Sequence, residues 1–192
     1  MKIYVIRHGQ TDWNVAGKCQ GRTDIELNET GIEQAKQAKE QLKNYNIEQI
    51  ICSPLKRTRK TAEVIKENTN CSIITDERII ERECGTIEGT TRKEWNDIVK
   101  NDISIINNYN LNYNEHNIEP IQDVCKRVWN LLDEIKEKYK DATHHCYAYI
   151  INNTKRFNDL EIAESLILKC HHLSVNPAHL GIIAPHALYE CA

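Results

Sequence analysis

The chain has 192 residues, 40% of them hydrophobic and 28% charged, with a formal net charge of -3. This length suits one domain with a sizeable core, and mild acidity without a dense Lys/Arg block disfavours nucleic acid as the main partner. No apolar run reaches the length of a membrane span and the opening run Met1–Ile6 is too short for a signal-peptide core, so a cytoplasmic protein without a membrane partner is expected, its eight cysteines as thiols.

Past Lys2, residues 3–6 are apolar and largely β-branched and end at a charged turn, which predicts a short buried strand over residues 2–6. Ile32, Ala35, Ala38 and Leu42 recur at helical spacing, predicting a helix over 29–44 with Asn28 as its N-cap. A second strand is predicted over Ile47–Cys52, a helix over 57–67 after the Ser53-Pro54 turn, and a third strand over Cys71–Thr75. A helix is expected over 94–100, and the Asn-rich stretch 101–119 predicts irregular structure. Residues 121–139 carry Val124, Val128, Leu131, Leu132 and Ile135 on one helical face. Alternating strand and helix predicts an α/β protein with a largely parallel sheet, whose ligand sites lie beyond the carboxyl ends of its strands.

Three segments just past strand ends carry chemistry. In Arg7-His8-Gly9 the imidazole follows a buried strand, so its ring can be aimed; a guanidinium fork stands beside it, and Gly9 is expected to let an anionic group approach the main chain. In Ser53–Ala62 basic residues crowd the start of a predicted helix, against the dipole's preference. That placement fits an anion bound there with Arg57, while Lys56, Arg59 and Lys60 read as a solvated face. In Glu81–Gly89, Glu81 suits proton transfer to and from a reacting oxygen, whereas Glu83 and Glu88 read as structural.

Together these segments resemble the histidine phosphatase superfamily, the phosphoglycerate-mutase-like fold. The pattern is Arg-His-Gly, then Ser-x-Leu-x-Arg-x-x-x-Thr-Ala at Ser53–Ala62, then Glu-x-x-x-Gly-x-x-Glu-Gly at Glu81–Gly89, in that order. Trp13-Asn14 and Gln20–Asp24 also sit where the family contacts phosphate, and the resemblance covers residues 1–141. It implies a three-layer sandwich, a mostly parallel central sheet flanked by helices. It further implies His8 as nucleophile, Glu81 as acid and then base, and Arg7, Asn14, Gln20, the Gly21 amide and Arg57 as substrate-binding groups, with no metal or other cofactor. The partner is then a small phosphorylated metabolite. Alpha-ribazole and broad-specificity phosphatases are the similar family types. Mutases carry an extra basic segment, whereas 90–119 here holds Arg92, Lys93 and Lys100 as its cations. A phosphoglycerate mutase and a catalytically weak phosphate-binding module are the alternatives.

The tail departs from that pattern. The family places a second His after a hydrophobic strand and before Gly; here His144 and His145 precede the apolar run, and His145 is the nearest candidate. On this reading the strand that should pair beside the first is missing. Residues 142–192 hold seven charged side chains and six of the eight His, so the tail reads as diverged or shifted in frame. Losing one oxyanion donor costs about 2.7–4 kcal/mol of barrier. The tail's Cys146, Cys170, His171, His172 and Cys191 lack metal-ligand spacing.

Overall fold

The computed structural model describes residues 2–67, 69–98, 116–138, 146–151, 180–184 and 187–190. Its frame is a sheet of β1 (Lys2–Arg7), β2 (Ile47–Cys52), β3 (Ser72–Thr75), β4 (Cys146–Ile151), β5 (Leu180–Ala184) and β6 (Ala187–Glu190). The spatial order is β3-β2-β4-β1-β5-β6. The pairs β1–β4, β1–β5, β2–β3 and β2–β4 are parallel, and the edge pair β5–β6 is antiparallel. The expected α/β fold with a mostly parallel sheet is therefore observed.

The expectation of a missing strand is overturned. β4 lies between β1 and β2 and pairs with β1 along its whole length, from Lys2 beside Cys146 to Arg7 beside Ile151. Four of its six residues, Tyr147, Tyr149, Ile150 and Ile151, are the β-branched and aromatic types that suit a pleated sheet. The backbone ladder needs no particular side chain at the strand's end, so the strand forms without the His-Gly that the resemblance led one to look for.

The helices are α1 (Asp12–Val15), α2 (Glu29–Leu42), α3 (Lys56–Lys66), α4 (Arg92–Ile98) and α5 (Ile121–Lys138). Asn28 caps α2 as expected, its side chain accepting from the Gly31 N–H at 2.9 Å. The inward face of α2 is Gly31, Gln34, Ala35, Ala38 and Leu42, with Ile32 only half-buried. Gln34 turns inward because its Oε1 accepts the Gln10 N–H at 2.8 Å, a polar partner that hydrophobic periodicity does not report. On α5 the predicted stripe holds, with Leu131 and Ile135 buried. Residues 99–100 and 139, the ends of two predicted helices, and 101–115 of the predicted irregular stretch lie outside the described residues.

One core cluster joins β1 (Tyr4, Ile6), β2 (Ile50, Cys52), α2 (Ala38, Leu42) and α3 (Ala62, Ile65). Burying a side chain such as Ile6 or Ile50 stabilises by about 1.5–3 kcal/mol. The same packing fixes the carboxyl end of β1 against α2 and α3. Gly9 and Gly31 allow the close approach: a Cβ on Gly9 would overlap the Gly31 backbone, and one on Gly31 would overlap the Gln10 backbone.

Candidate active site

β1 ends at Arg7, and the next residue, His8, is buried at 3% exposure. Its Nδ1 lies 2.6 Å from the Gly9 carbonyl oxygen. A carbonyl can only accept, so Nδ1 carries the hydrogen, and in the neutral ring Nε2 carries the lone pair. The turn is tied to α3: the Gly9 N–H donates to Thr61 Oγ1 at 3.2 Å, and that hydroxyl donates to the Arg57 carbonyl at 2.7 Å.

Arg57 is fully buried. Its Nη1 donates to the Thr23 carbonyl and its Nη2 to the Gly21 carbonyl, each at 2.8 Å. Arg7 has a buried Nε with no hydrogen-bond partner. Burial holds both guanidinium pKa values below the ordinary arginine value, and Glu81 is the foremost charge opposing that shift in each. One carboxylate therefore lies within electrostatic reach of both cations. Glu81 is itself held at two points: its Oε1 accepts from the Arg82 N–H at 2.9 Å, and its carbonyl accepts from Arg22 Nε at 3.3 Å.

Asn14 and Gln20 meet at Thr11, which is fully buried. Thr11 caps α1: its Oγ1 accepts the Asn14 N–H at 3.1 Å while the Asn14 Oδ1 accepts the Thr11 N–H at 3.0 Å. The single hydroxyl hydrogen of Thr11 is shared between Asn14 Oδ1 at 3.1 Å and Gln20 Oε1 at 3.0 Å. With both amide oxygens facing Thr11, the amide NH2 groups are the donors left to face elsewhere.

Gly21 has φ of +50°, and a Cβ there would overlap the Glu88 carboxylate. Glu88 Oε1 accepts the N–H groups of Arg22 at 2.9 Å and Cys84 at 3.0 Å. Its Oε2 accepts the Thr23 N–H at 2.9 Å and the Thr23 hydroxyl at 2.5 Å. The loop 21–23 is thus gripped by Arg57 on one side and Glu88 on the other.

Two local expectations change. The space beside Gly9 is filled by the Gly31 backbone, so that glycine serves helix–loop packing, not the approach of an anion. At the start of α3 the Lys56 N–H donates to Asp24 Oδ1 at 2.7 Å, so the helix end is served by the chain's own carboxylate. Lys56, Arg59 and Lys60 are exposed, as a solvated face requires. His145 lies outside the described residues; β4 begins at Cys146 beside Lys2, and the end beside Arg7 is Ile151. Sequence reasoning missed Thr11, Thr61 and the grip of Glu88. The Thr-x-x-Asn spacing of Thr11 and Asn14 was a readable capping signal, whereas the other two bonds span 52 and 65 or more positions. Among the described residues no three His, Cys, Asp or Glu side chains gather as a metal ion would need, and no helix is long and apolar enough to cross a membrane.

Residues 3–151 match the family described as the histidine phosphatase superfamily, branch 1. The uncharacterized phosphatase PhoE of Bacillus subtilis is 44% identical over 92 residues, 48% of this chain and 48% of that protein. The probable phosphoglycerate mutase GpmB of Proteus mirabilis is 43% identical over 88 residues, 46% of this chain and 41% of that protein. The match thus spans about half the length of these curated relatives. Among solved structures, YhfR of Bacillus stearothermophilus superposes with a TM-score of 0.71 at 25% identity, over 85% of this chain and 79% of that one. A mycobacterial glucosyl-3-phosphoglycerate phosphatase in complex with VO3 gives 0.66 at 27% identity, over 77% of this chain and 74% of that one.

Proposed function

Since the chain belongs to the histidine phosphatase superfamily, we propose that it hydrolyses a small phosphomonoester through a phosphohistidine on His8. The observation that carries this reading is a buried, tautomer-fixed His8 directly after the half-buried Arg7, whose buried Nε has no hydrogen-bond partner, and tied through Gly9 and Thr61 to the helix that carries the buried Arg57. A dianionic phosphoryl group meets both needs: it accepts hydrogen bonds from Arg7 and Arg57 and offsets the cost of burying their charge.

In the first step the Nε2 lone pair of His8 attacks phosphorus, and the P–O bond to the leaving group breaks. Glu81, protonated, gives its proton to the departing oxygen. In the second step the Glu81 carboxylate takes a proton from water, whose oxygen attacks the phosphohistidine. The P–N bond breaks, inorganic phosphate forms and Glu81 regains its proton. Arg7 and Arg57 bind the non-transferring oxygens throughout, joined by the amide NH2 groups of Asn14 and Gln20 and by the Gly21 amide. The VO3 bound by the mycobacterial relative is an oxyanion of the same shape class as the transferring phosphoryl group, which supports this use of the site. The same reading takes the protein as one cytoplasmic domain with helices covering both sheet faces in three layers.

The GpmB relatives favour a second reading, phosphoryl transfer of the phosphoglycerate mutase kind. Incubating the protein with p-nitrophenyl phosphate and with 3-phosphoglycerate, beside His8→Ala, separates the two. Phosphate release that vanishes in the variant is expected; isomerised product supports the mutase, and no turnover of either contradicts both.

A further inference from the structure

We infer that Glu88 is a positioning residue, a carboxylate that aims Arg57 at the phosphoryl group through the peptide between Gly21 and Arg22. The inference rests on the phosphatase reading and deepens it. The Gly21 carbonyl and the Arg22 N–H belong to one peptide group. Its N–H donates to Glu88 Oε1 at 2.9 Å, and its carbonyl accepts from Arg57 Nη2 at 2.8 Å. The peptide dipole therefore lies between an anion and a cation with each end facing its opposite charge. Hydrogen bonds arranged in such a chain strengthen one another.

The grip is specific in its geometry. Glu88 takes four neutral donors, two on each oxygen: the N–H groups of Arg22 and Cys84, and the N–H and hydroxyl of Thr23. Thr23 returns the favour to Arg57, whose Nη1 donates to its carbonyl at 2.8 Å. Gly21 leaves no room for a Cβ against the Glu88 carboxylate, so the loop is seated on that side chain and not merely near it. The Cys84 bond ties the same carboxylate to the segment that carries Glu81. Arg57 rises from α3, and its planar fork has little freedom once two of its nitrogens are held by carbonyls of the loop that Glu88 anchors.

Glu88→Gln is nearly isosteric but cannot serve. An amide offers one accepting oxygen; its NH2 would face two donors and push the loop away. The test is a double-mutant cycle on kcat/KM for p-nitrophenyl phosphate, with wild type, Glu88→Gln, Arg57→Ala and the double variant, and with inorganic phosphate affinity measured by calorimetry. Glu88→Gln is expected to lower kcat/KM by roughly tenfold to a hundredfold in the native background, as a displaced positioning group does. In the Arg57→Ala background the same change is expected to cost less than about twofold, because there is no guanidinium left to aim. Equal losses in both backgrounds, or no loss in either, would overturn the inference while leaving the phosphatase reading intact. A wild type that neither binds phosphate nor turns over overturns both, and is recognised from the wild type alone. If Glu88→Gln fails to fold, Glu88→Asp, which keeps the charge but draws it back from the loop, carries the same cycle.

Discussion

Around the turn after β1, Arg57 is buried and Arg7 half-buried, and burial holds their pKa values below the ordinary one despite the nearby Glu81. On the outer flank Arg78 has the opposite fate. It pairs with Asp76 at 2.7 Å and with Glu134 at 2.6 Å, and its pKa rises because of those bonds. Arg127 likewise meets Glu119 at 2.8 Å. The contrast separates two uses of one side chain. A guanidinium matched by carboxylates holds elements together. A guanidinium held by backbone carbonyls, as Arg57 is by those of Thr23 and Gly21, is on the proposed reading the one that receives an incoming anion.

The sharpest way to break this contrast is to remove one arginine from each region. Arg57→Ala is expected to lower kcat/KM by about 10²–10³-fold, the usual cost of losing an oxyanion donor. Arg78→Ala should leave kcat/KM within about twofold, yet lower Tm by about 2–4 °C, since its pairs contribute about 1 kcal/mol near the surface. If Arg78→Ala lost activity as Arg57→Ala does, the division of labour would be wrong. Arg7→Lys is a milder probe. It keeps the charge but replaces the planar fork with a point charge, so a loss of roughly tenfold in kcat/KM with little change in Tm is expected.

Acid sharpens the contrast from the structural side. The Asp76 carboxyl is held below its ordinary pKa, first by its hydrogen bond with Arg78. For Glu119 burial acts upward, but the bonds and charge of Arg127, with the charge of Arg22, outweigh it and lower the pKa. Both groups are lowered in the folded state. Their stabilisation is therefore complete above the ordinary carboxylate range near about pH 4, and is lost as pH falls through the lower folded values. Urea midpoints should hold steady down to about pH 5 and fall below about pH 4, and Glu119→Gln should flatten part of that fall. The smallest effects belong to the exposed face of α3: Lys56→Gln, Arg59→Gln and Lys60→Gln should each change stability by less than about 0.5 kcal/mol and leave turnover unchanged.

The fold was legible where period and composition agree. β2 was bounded correctly because the apolar Ile50-Ile51-Cys52 runs into the Ser53-Pro54 turn, and α5 because its apolar stripe repeats at helical spacing. The expectation that His8, Arg57 and Glu81 share one site came from a topological rule, that parallel strands bring their carboxyl ends to one side, and Glu81 does lie within electrostatic reach of Arg7 and Arg57. What could not be read was anything set by long-range contact. Glu88 looks like one more structural acid until the loop 21–23 is folded onto it. The polar inward turn of Gln34 depends on Gln10, 24 positions away. β4 was missed because it was sought by the His-Gly expected after it, while the ladder beside β1 is a property of the backbone.

Trapping the covalent enzyme tests the role of His8 most directly. Mixing the protein with p-nitrophenyl phosphate, quenching in alkali during turnover and mapping the digest by mass spectrometry should find one phosphoryl group on the His8 peptide. It should be stable in base, lost in acid and absent from His8→Ala. Turnover with the phosphoryl group on another residue, or with no covalent species and an active His8→Ala, would contradict a nucleophilic His8.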